Sequence, residues 1–394
     1  MNNSRTLRYV RMLVVLPAAL SAVLWLAACS DKKDEDKPAE LVDIKPQLNV
    51  ERLWSHGLGG GGERLRLALR PAVEQGVVFA AGYGGKVEAF KADDGDKLWH
   101  IKTKLPLSAG PGVKGDVVVL GALDGTLLAL DAKTGAERWR TALTSEVLAD
   151  PVFVDDLVII RTVDGKLTAL TIAKGEQRWT TEQSVPRLSL RGTAHPIVSG
   201  DTIFTGFDNG RVVAVDAKTG DTVWDTVVST PRGKNELERL VDIDGPVRVS
   251  GDDVYVAGFQ GRMAMLAKDS GQIWWAQDFS TYRGFALEAD AMYLSNADGS
   301  VVAVRRTDGS VIWRQSELAR RALTAPAVDK KALVVGDYEG YLHWLSPNDG
   351  VIIARAKTDG ERITNAPLVA DGRVFVQTDD GKLIAFATQP KQGG

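Results

Sequence analysis

Alternating apolar and polar residues, interrupted by glycine-containing turns, run through most of the chain. In one stretch an apolar run at residues 117–120 precedes Asp124-Gly125, and the following residues alternate again as far as Thr134-Gly135. Alternation with a period of two predicts β-strands, and Asp-Gly between two such runs favours a tight hairpin turn. Gly135 suits a second turn because glycine adopts a positive φ at no steric cost. Another strand then opens at Arg138, so the stretch predicts consecutive short strands.

The same frame recurs in eight copies. DGTLLALDAKTGAERW (124–139) aligns with DGKLTALTIAKGEQRW (164–179) and NGRVVAVDAKTGDTVW (209–224), and the leading glycines of all copies are residues 85, 125, 165, 210, 261, 299, 340 and 381. Their spacings are 40, 40, 45, 51, 38, 41 and 41 residues. Four strands in about 40 residues are typical of one propeller blade. The sequence therefore predicts an all-β fold, an eight-bladed β-propeller of four-stranded repeats of the PQQ or WD40 type.

A tryptophan stands 14 residues after the leading glycine in six copies, at Trp99, Trp139, Trp179, Trp224, Trp275 and Trp313. One interpretation is an aromatic cage for a ligand. Repetition at a single position favours another, in which each ring fills the wedge between adjacent blades and buries about 200 Å². The seventh copy has Ala354 at this position and Trp344 on the preceding strand, which predicts a local redistribution of the packing.

The two ends of the repeat region are complementary. The last copy stops after Phe386 without its tryptophan strand, whereas residues 48–54 (LNVERLW) carry Trp54 and no complete blade of their own. An N-terminal strand that completes blade eight would cover two otherwise open sheet edges. We therefore predict that residues 49–394 form one ring closed by the strand of Trp54.

The N-terminus has the pattern of a targeting segment. Arg5, Arg8 and Arg11 precede an apolar run at residues 12–26, which is too short for a confident membrane span. The run ends in Leu-Ala-Ala-Cys29, and Cys29 is the only cysteine in the chain. A free thiol that happens to follow a secretory signal is one interpretation. A lipobox is favoured, with residues 1–28 as the signal peptide and Cys29 as the lipidated first residue of the mature protein.

A charged segment follows the cysteine. Residues 30–48 include SDKKDEDKPAE, a composition that cannot bury a core, so residues 29–48 are predicted to be the lipidated cysteine and a flexible tether. The residue after the cysteine is Ser30 and not an aspartate. In the lipoproteins that this N-terminus resembles, this implies sorting to the outer membrane of a Gram-negative bacterium, with the protein on the periplasmic side.

Composition and motifs argue against several function classes. A net charge of −3 gives the protein no excess of positive charge with which to bind nucleic acid. Gly57-x-Gly59-x-x-Gly62 precedes a strand-like segment and not the helix of a dinucleotide site, and Asp242-x-Asp244-Gly245 lacks the later acidic residues of a calcium loop. The four histidines show no metal-ligand spacing. We expect no catalytic site, metal or cofactor.

The segments ALDAKTGAERW and AVDAKTGDTVW resemble the tryptophan-docking repeat of pyrroloquinoline-quinone (PQQ) dehydrogenase propellers. That resemblance raises a quinone-dependent dehydrogenase as an alternative function. These enzymes use calcium and a vicinal disulfide beside the quinone, and a chain whose sole cysteine is Cys29 cannot form that disulfide. The shared motif is structural and carries no function by itself. A propeller that binds cell-wall polysaccharide is a second alternative.

Over nearly its whole length the chain also resembles the BamB family, the propeller lipoproteins of the outer-membrane β-barrel assembly (BAM) machinery. The distinguishing segments are VPRLSLRG (185–192), ELERLVDIDGP (236–246) and GDYEGYLHW (336–344). The resemblance implies a scaffold without catalysis, displayed in the periplasm from the outer membrane and bound to the POTRA domains of BamA. The resemblance also raises nascent outer-membrane β-barrel proteins as a further candidate partner.

The two longest repeat spacings, 45 and 51 residues, flank the fourth copy. Their extra residues fall in connections from an outermost strand to the next innermost strand, which emerge on one face of a propeller. Leu188, Leu190 and Arg191 are therefore expected beside Asp242 and Asp244, a mixture of apolar anchors and charges that is typical of an interface hot spot. The alternative is an ordinary loop whose leucines fold back onto blade four.

Overall fold

The computed structural model describes residues 37–391 except 61, 63–64, 66, 187, 189–193, 232–233, 236–239, 244 and 282. The described residues from Glu40 onward form one compact unit, which contains the propeller. Every regular element among the described residues is a β-strand. The described part accordingly holds no helix that is long and apolar enough to cross a bilayer.

The described residues contain thirty-three strands. Two precede the first blade: β1 (Leu48–Gly57) and β2 (Ala68–Leu69). Blade 1 contains β3 (Ala72–Glu74), β4 (Val77–Ala81), β5 (Lys86–Lys91) and β6 (Lys97–Lys102), and blade 2 contains β7 (Leu107–Lys114), β8 (Val117–Ala122), β9 (Thr126–Asp131) and β10 (Glu137–Ala142). Blade 3 contains β11 (Val152–Val154), β12 (Leu157–Arg161), β13 (Lys166–Thr171) and β14 (Gln177–Glu182), and blade 4 contains β15 (Ile197–Ser199), β16 (Thr202–Gly206), β17 (Arg211–Asp216) and β18 (Thr222–Val227).

Blades 5 to 8 continue the same order. Blade 5 contains β19 (Arg248–Ser250), β20 (Asp253–Ala257), β21 (Gly261–Ala267) and β22 (Ile273–Phe279), and blade 6 contains β23 (Phe285–Leu287), β24 (Ala291–Ser295), β25 (Val301–Arg305) and β26 (Val311–Gln315). Blade 7 contains β27 (Ala327–Asp329), β28 (Ala332–Gly336), β29 (Tyr341–Leu345) and β30 (Ile352–Lys357), and blade 8 contains β31 (Leu368–Ala370), β32 (Arg373–Gln377) and β33 (Lys382–Pro390).

Within each blade consecutive strands pair antiparallel, and the first strand lies innermost. The innermost strands of neighbouring blades contact one another, for example β11 with β15 and β15 with β19. The prediction of an eight-bladed β-propeller is confirmed. One strand was not predicted: β2 pairs in parallel with the innermost strand β7 and makes the sheet of blade 2 five-stranded.

A tryptophan on the outermost strand docks each of seven blades onto the next. Its indole Nε1 donates to a main-chain carbonyl of the following blade at 2.7–3.2 Å; the pairs are Trp54–Ala92, Trp99–Ala132, Trp139–Ile172, Trp179–Ala217, Trp224–Lys268, Trp275–Arg306 and Trp313–Pro347. Five of the rings are 8% exposed, Trp54 among them. The tryptophans thus lie in the wedges between blades, where the packing interpretation places them.

A glycine in the second turn of the next blade lies against each of these rings. The glycines have positive φ and are Gly95, Gly135, Gly175, Gly220, Gly271, Gly309 and Gly350. A Cβ atom on any of them would come within 2.5–2.8 Å of the docked indole. The repeated Gly is therefore required twice over, by the backbone conformation of its turn and by the approach of the neighbouring tryptophan.

The ring closes through the N-terminal strand. β1 pairs antiparallel with β33 as the outermost strand of blade 8, and Trp54 faces Ala385 in that pairing. The same cross-strand neighbour occurs in the other blades, for example Trp139 opposite Ala129. The prediction of closure by the strand that carries Trp54 is confirmed.

Blade 7 inverts this pair of side chains. Trp344 lies on the third strand opposite Ala354 on the fourth, and Trp344 is fully buried with its Nε1 donating to Asp329 Oδ2 at 3.0 Å. Blade 8 receives its outermost strand from the far end of the chain, so it has no second turn and no turn glycine. A tryptophan at position 354 would have nothing equivalent to dock on, which explains the exchange.

The expected tether is shorter than its predicted bounds. Leu41 and Ile44 pack against the core cluster shared by blades 6 and 7, and Arg355 Nη1 donates to the carbonyl of Val42 at 3.0 Å. Gln47 N donates to the carbonyl of Ile353 at 2.8 Å. Apolar residues in an otherwise charged segment account for this contact, and residues 41–48 therefore belong with the propeller.

Replacement of Trp54 tests the closure. We expect Trp54→Ala to lower the free energy of unfolding by about 3–5 kcal/mol, because it leaves a cavity at the seam of the ring. The matched control is Trp274→Ala. Trp274 directly precedes the docking tryptophan Trp275 on the outermost strand β22, but its ring is 55% exposed, so its loss should change the free energy of unfolding little. Denaturant unfolding of both variants is the measurement, and equal losses would contradict the closure.

Candidate partner-binding surface

Two long connections between blades lie on either side of blade 4. Residues 183–196 join the outermost strand β14 to the innermost strand β15, and residues 228–247 join β18 to β19. Both run between an outermost and an innermost strand, so they emerge on the same face as the hairpin turns with the leading glycines. The structure thus brings these two segments to one face, as expected.

The first connection begins by crossing the leading turns of blades 3 and 4. Gln183 N donates to the carbonyl of Gly165 at 3.0 Å, and Asn209 Nδ2 donates to the carbonyl of Ser184 at 3.0 Å. Val185 and Leu188 then keep 38% and 40% of their surface exposed. The beginning of the loop is held in place by hydrogen bonds to its main chain, while Val185 and Leu188 keep part of their side chains exposed.

The second connection is anchored at both ends. Val228 N and Ser229 N donate to the carbonyl of Gly210, and Ser229 Oγ accepts from Arg262 N at 3.0 Å. Near its other end, Phe259 N donates to the carbonyl of Asp242 at 2.8 Å. These bonds join the loop to the leading turns of blades 4 and 5.

The structure places the predicted site residues in different environments. Leu188 is exposed, whereas Leu190, Arg191 and Asp244 lie outside the described residues. Asp242 is 1% exposed, which differs from the expected solvent-facing carboxylate. The reason is its apolar neighbours: Val241 and Ile243 are buried, and Ile243 packs in the core cluster between blades 4 and 5.

An arginine that the sequence did not single out lies on the face of blades 3 and 4 that carries these loops. Arg161, at the end of β12, is 1% exposed and donates through Nη1 to the carbonyl of Gly206 at 2.6 Å. Its Nη2 lies 3.3 Å from Asp208 Oδ1, and its guanidinium stacks 4.1 Å from the centre of the Phe207 ring. Arg161 therefore cross-links blades 3 and 4.

Arg161 differs in size from the residue that most of the other copies have at the same position. Six of the eight second strands have a small residue at this register position, namely Ala81, Gly121, Gly206, Ala257, Ser295 and Gly336. The exceptions are Arg161 and Gln377, and Gln377 Nε2 donates to the carbonyl of Ala81 at 2.9 Å. Each of the two long side chains reaches the carbonyl at the same position of the next blade.

The distinctive segment 336–344 forms a buried network in blade 7. Asp337 accepts from Arg321 Nε at 2.8 Å and from His343 Nε2 at 3.0 Å, and all three side chains are at most 3% exposed. Burial would raise the pKa of Asp337, but the bonds from His343, Tyr341 N and Arg321 hold it below its ordinary value. Arg355 Nε donates to His343 Nδ1 at 3.2 Å, so the ring proton lies on Nε2.

This network is structural in character. Burial lowers the pKa of His343 more than Asp337 raises it, which keeps the imidazole neutral. Each polar atom named in it is bonded to a neighbour in blade 7 or in the connection that leads into blade 7. In the described part of the chain, no group of three or more His, Cys, Asp or Glu side chains could hold a metal ion.

Comparison with known proteins places this architecture in a family. Residues 83–315 and 297–390 match the family described as outer membrane protein assembly factor BamB. The BamB of Pseudomonas aeruginosa is 47% identical over 94% of this chain and 97% of its own length. The chain belongs to the BamB family. BamB of Escherichia coli is 35% identical over 95% of this chain and 98% of its own length.

Solved structures agree with the family assignment. The crystal structure of BamB from Moraxella catarrhalis covers 86% of this chain and 100% of its own, with 31% identity and a TM-score of 0.79. The quinohemoprotein alcohol dehydrogenase of Comamonas testosteroni has a TM-score of 0.69 at 16% identity, covering 88% of this chain and 78% of its own. At that identity the dehydrogenase shares the fold alone.

Removal of Arg161 tests the cross-link beneath the loops. We expect Arg161→Ala to destabilise the protein by about 3–5 kcal/mol, because it takes the arginine away from the 4%-exposed carboxylate of Asp208. Arg161→Met combined with Asp208→Leu removes both charges and should cost less than the single change. Denaturant unfolding distinguishes the two, and a double variant that is less stable than Arg161→Ala would contradict the pairing.

Proposed function

We propose that this protein is a non-catalytic scaffold of the BAM complex that assists the assembly of β-barrel proteins in the outer membrane. The observation that carries the proposal is the near end-to-end similarity to proteins named as outer membrane protein assembly factors. The interior of the propeller supports it, because the repeated tryptophans and glycines serve the packing of one blade on the next. A scaffold needs this rigidity to present loops in a defined arrangement.

The partner proposed for the loop face is BamA, through its POTRA domains. Leu188 and Leu190 would insert into an apolar groove of a POTRA domain, and Arg191 would pair with a carboxylate there. The exposure of Leu188, together with the bonds that hold Gln183 and Ser184 on blades 3 and 4, supports an apolar anchor on a rigid base. Asp242, being buried, would act indirectly by holding its loop in place, and Asp244 would complete the rim.

The proposed location is the periplasmic side of the outer membrane, with a lipid on Cys29. The relatives are named as outer membrane factors, and the lipobox at residues 26–29 supplies an anchor. Residues 30–40 would then be the free part of the tether, about 35 Å when fully extended. Nascent β-barrel proteins would meet the propeller within that reach of the membrane.

Truncation of the loop anchors tests the partner. Leu190→Ala or Arg191→Ala should weaken BamA binding about thirtyfold, because loss of a desolvated anchor costs about 2 kcal/mol. The melting temperature should be almost unchanged, since loop side chains contribute little to the core. The measurement is a pull-down of BamA beside a melting curve of each variant.

A matched control for this experiment is Leu98→Ala. Leu98 is 46% exposed, against 40% for Leu188, but lies on the outermost strand of blade 1. Its truncation should leave BamA binding intact. Retained binding with a lowered melting temperature in the loop variants would mean that the leucines are core residues and would overturn the assignment. Affinity for isolated peptidoglycan in the absence of BamA would favour a polysaccharide-binding propeller.

The anchor has its own test. Growth with radioactive palmitate should label the wild-type protein, and Cys29→Ala should abolish the label because the only thiol is lost. The same substitution should shift the protein from the outer-membrane fraction to the soluble periplasm. A Cys29→Ala protein that stays labelled would refute the lipobox.

A further inference from the structure

The leading turn of blade 5 differs from that of the other blades. In the other seven copies the leading glycine has a positive φ, whereas in blade 5 the positive φ of 46° falls on Gln260, and Gly261 already begins β21. The pairing of β21 with β22 accordingly extends to Gly261 opposite Phe279. A positive φ is uncommon for a residue with a Cβ atom, and such strain is concentrated at functional sites. Gln260 therefore marks this turn as a candidate binding site.

The connection from blade 4 packs directly against this turn. Ser229 lies so close to Gly261 that a Cβ atom on the glycine would come within 2.4 Å of Ser229 Oγ. Ser229 Oγ accepts from Arg262 N at 3.0 Å, and Gln260 N donates to Ser280 Oγ at 3.2 Å. These bonds hold the turn from both sides, so its strained conformation is built into the free protein.

A cavity of about 100 Å³, which we call the turn pocket, lies between the turn and the connection. Its lining includes Ser229, Thr230, Gln260, Arg262 and Asp278. One water molecule needs only about 10–15 Å³, so the pocket has room for the end of a side chain. The pocket lies on the face with the leading turns, beside the connection at residues 228–247 that belongs to the surface proposed for BamA.

Arg262 brings an available cation to the turn pocket. It stands opposite Asp278 in the pairing of β21 with β22, and its Nε lies 3.5 Å from Asp278 Oδ1. The side chains of Arg262 and Asp278 are 43% and 94% exposed, so water screens their attraction and the pair is weak. In the described part of the chain, the two Nη groups of Arg262 have no protein acceptor. Arg262 can therefore bind a second anion.

Ser229 adds a donor at the floor of the pocket. It is 4% exposed, and its Oγ accepts from Arg262 N, which leaves the hydroxyl proton to be donated. No acceptor for that proton occurs among the residues that the structure describes. A buried hydroxyl with a proton to donate favours a ligand that accepts hydrogen bonds. The guanidinium and the hydroxyl together match a carboxylate, which accepts hydrogen bonds and donates none.

We propose that the turn pocket receives a carboxylate side chain of BamA, held by the Nη groups of Arg262 and the hydroxyl of Ser229. The proposal rests on the function proposed above and extends the loop surface from blade 4 onto blade 5. A guanidinium donates two parallel bonds to a carboxylate, and arginine is enriched among the residues that dominate interface energies. Val228 and Ser229 begin the connection that carries Asp242 and Asp244, so the pocket is continuous with that surface.

Substitution of Arg262 tests the site. Arg262→Gln should weaken the binding of BamA to the full chain about tenfold or more, because it removes the charge that faces the carboxylate. Arg262→Lys should recover only part of the affinity, since lysine cannot donate two parallel bonds. The melting temperature should stay the same in both variants, because the pair with Asp278 is exposed. The measurement is the dissociation constant for BamA beside a melting curve of each variant.

Two further charge changes control this result. Arg305 is 54% exposed and has an equally loose partner in Asp308 at 3.8 Å, but it lies at the second turn of blade 6, on the opposite face. Arg305→Gln changes the net charge by the same amount and should leave BamA binding intact. Asp278→Asn should strengthen binding about threefold, because it removes a carboxylate that competes for Arg262. Weaker binding of Asp278→Asn would overturn an acidic ligand.

Gln260→Gly tests whether the strained turn serves binding. The melting temperature should rise, because glycine adopts a positive φ without strain. The affinity for BamA should fall about threefold, because an amide is lost from the pocket. A variant that gains stability and binds BamA like the wild type would overturn the assignment of the turn to the site.

Leu190→Ala distinguishes a failure of the pocket from a failure of the proposed function. Weaker binding of Arg262→Gln at an unchanged melting temperature supports the pocket. If Leu190→Ala weakens BamA binding and Arg262→Gln does not, the partner stands and the pocket is overturned. A wild-type chain that does not bind BamA overturns both.

Discussion

The fold depends on one contact between neighbouring blades, the docking of an indole onto a glycine with positive φ. The tryptophan fills the wedge between two sheets and satisfies its own N–H on a carbonyl of the next blade, for example Trp139 on Ile172. Gly175 permits the approach because a side chain there would collide with the ring. Shape and hydrogen bonding thus select the same geometry, and seven repetitions set the angle at which consecutive sheets meet.

The exception at blade 7 shows how strict this constraint is. The turn glycine belongs to the hairpin between the third and fourth strands, and blade 8 lacks that hairpin because its fourth strand is β1. The bulky ring is accordingly on Trp344, one strand further in, and Ala354 occupies the usual tryptophan position. The volume of the cross-strand pair is kept while its order is reversed. The seam of the ring is therefore encoded in two blades, through Trp54 and through this exchange.

Because the blades pack into a rigid ring, the side chains available for binding lie in the segments between blades. On the face with the leading turns, hydrogen bonds and the buried segment that includes Ile243 hold the connections around blade 4, so exposed side chains such as Leu188 project from a fixed backbone. The buried pair of Arg161 and Asp208 links the blades on that face. On the axis, the inner ends of the strands place charged residues from distant repeats together. Both locations follow from strand order alone.

The sequence by itself determined the number of blades, their strand order, the docking tryptophans and the closure by the strand of Trp54. These features depend on residues at fixed spacings within a repeat, and local periodicity reports such spacings directly. The loop surface was predicted from two irregular spacings, yet the burial of Asp242 was not. Its apolar neighbours are visible in the sequence, but whether a loop folds inward depends on the space between blades 4 and 5. Only the tertiary structure decided that question, along with the cross-link of Arg161 and the meeting of Arg70, Asp150 and His195. These contacts join residues of different repeats across the ring, and no local pattern records which side chains a closed ring brings face to face.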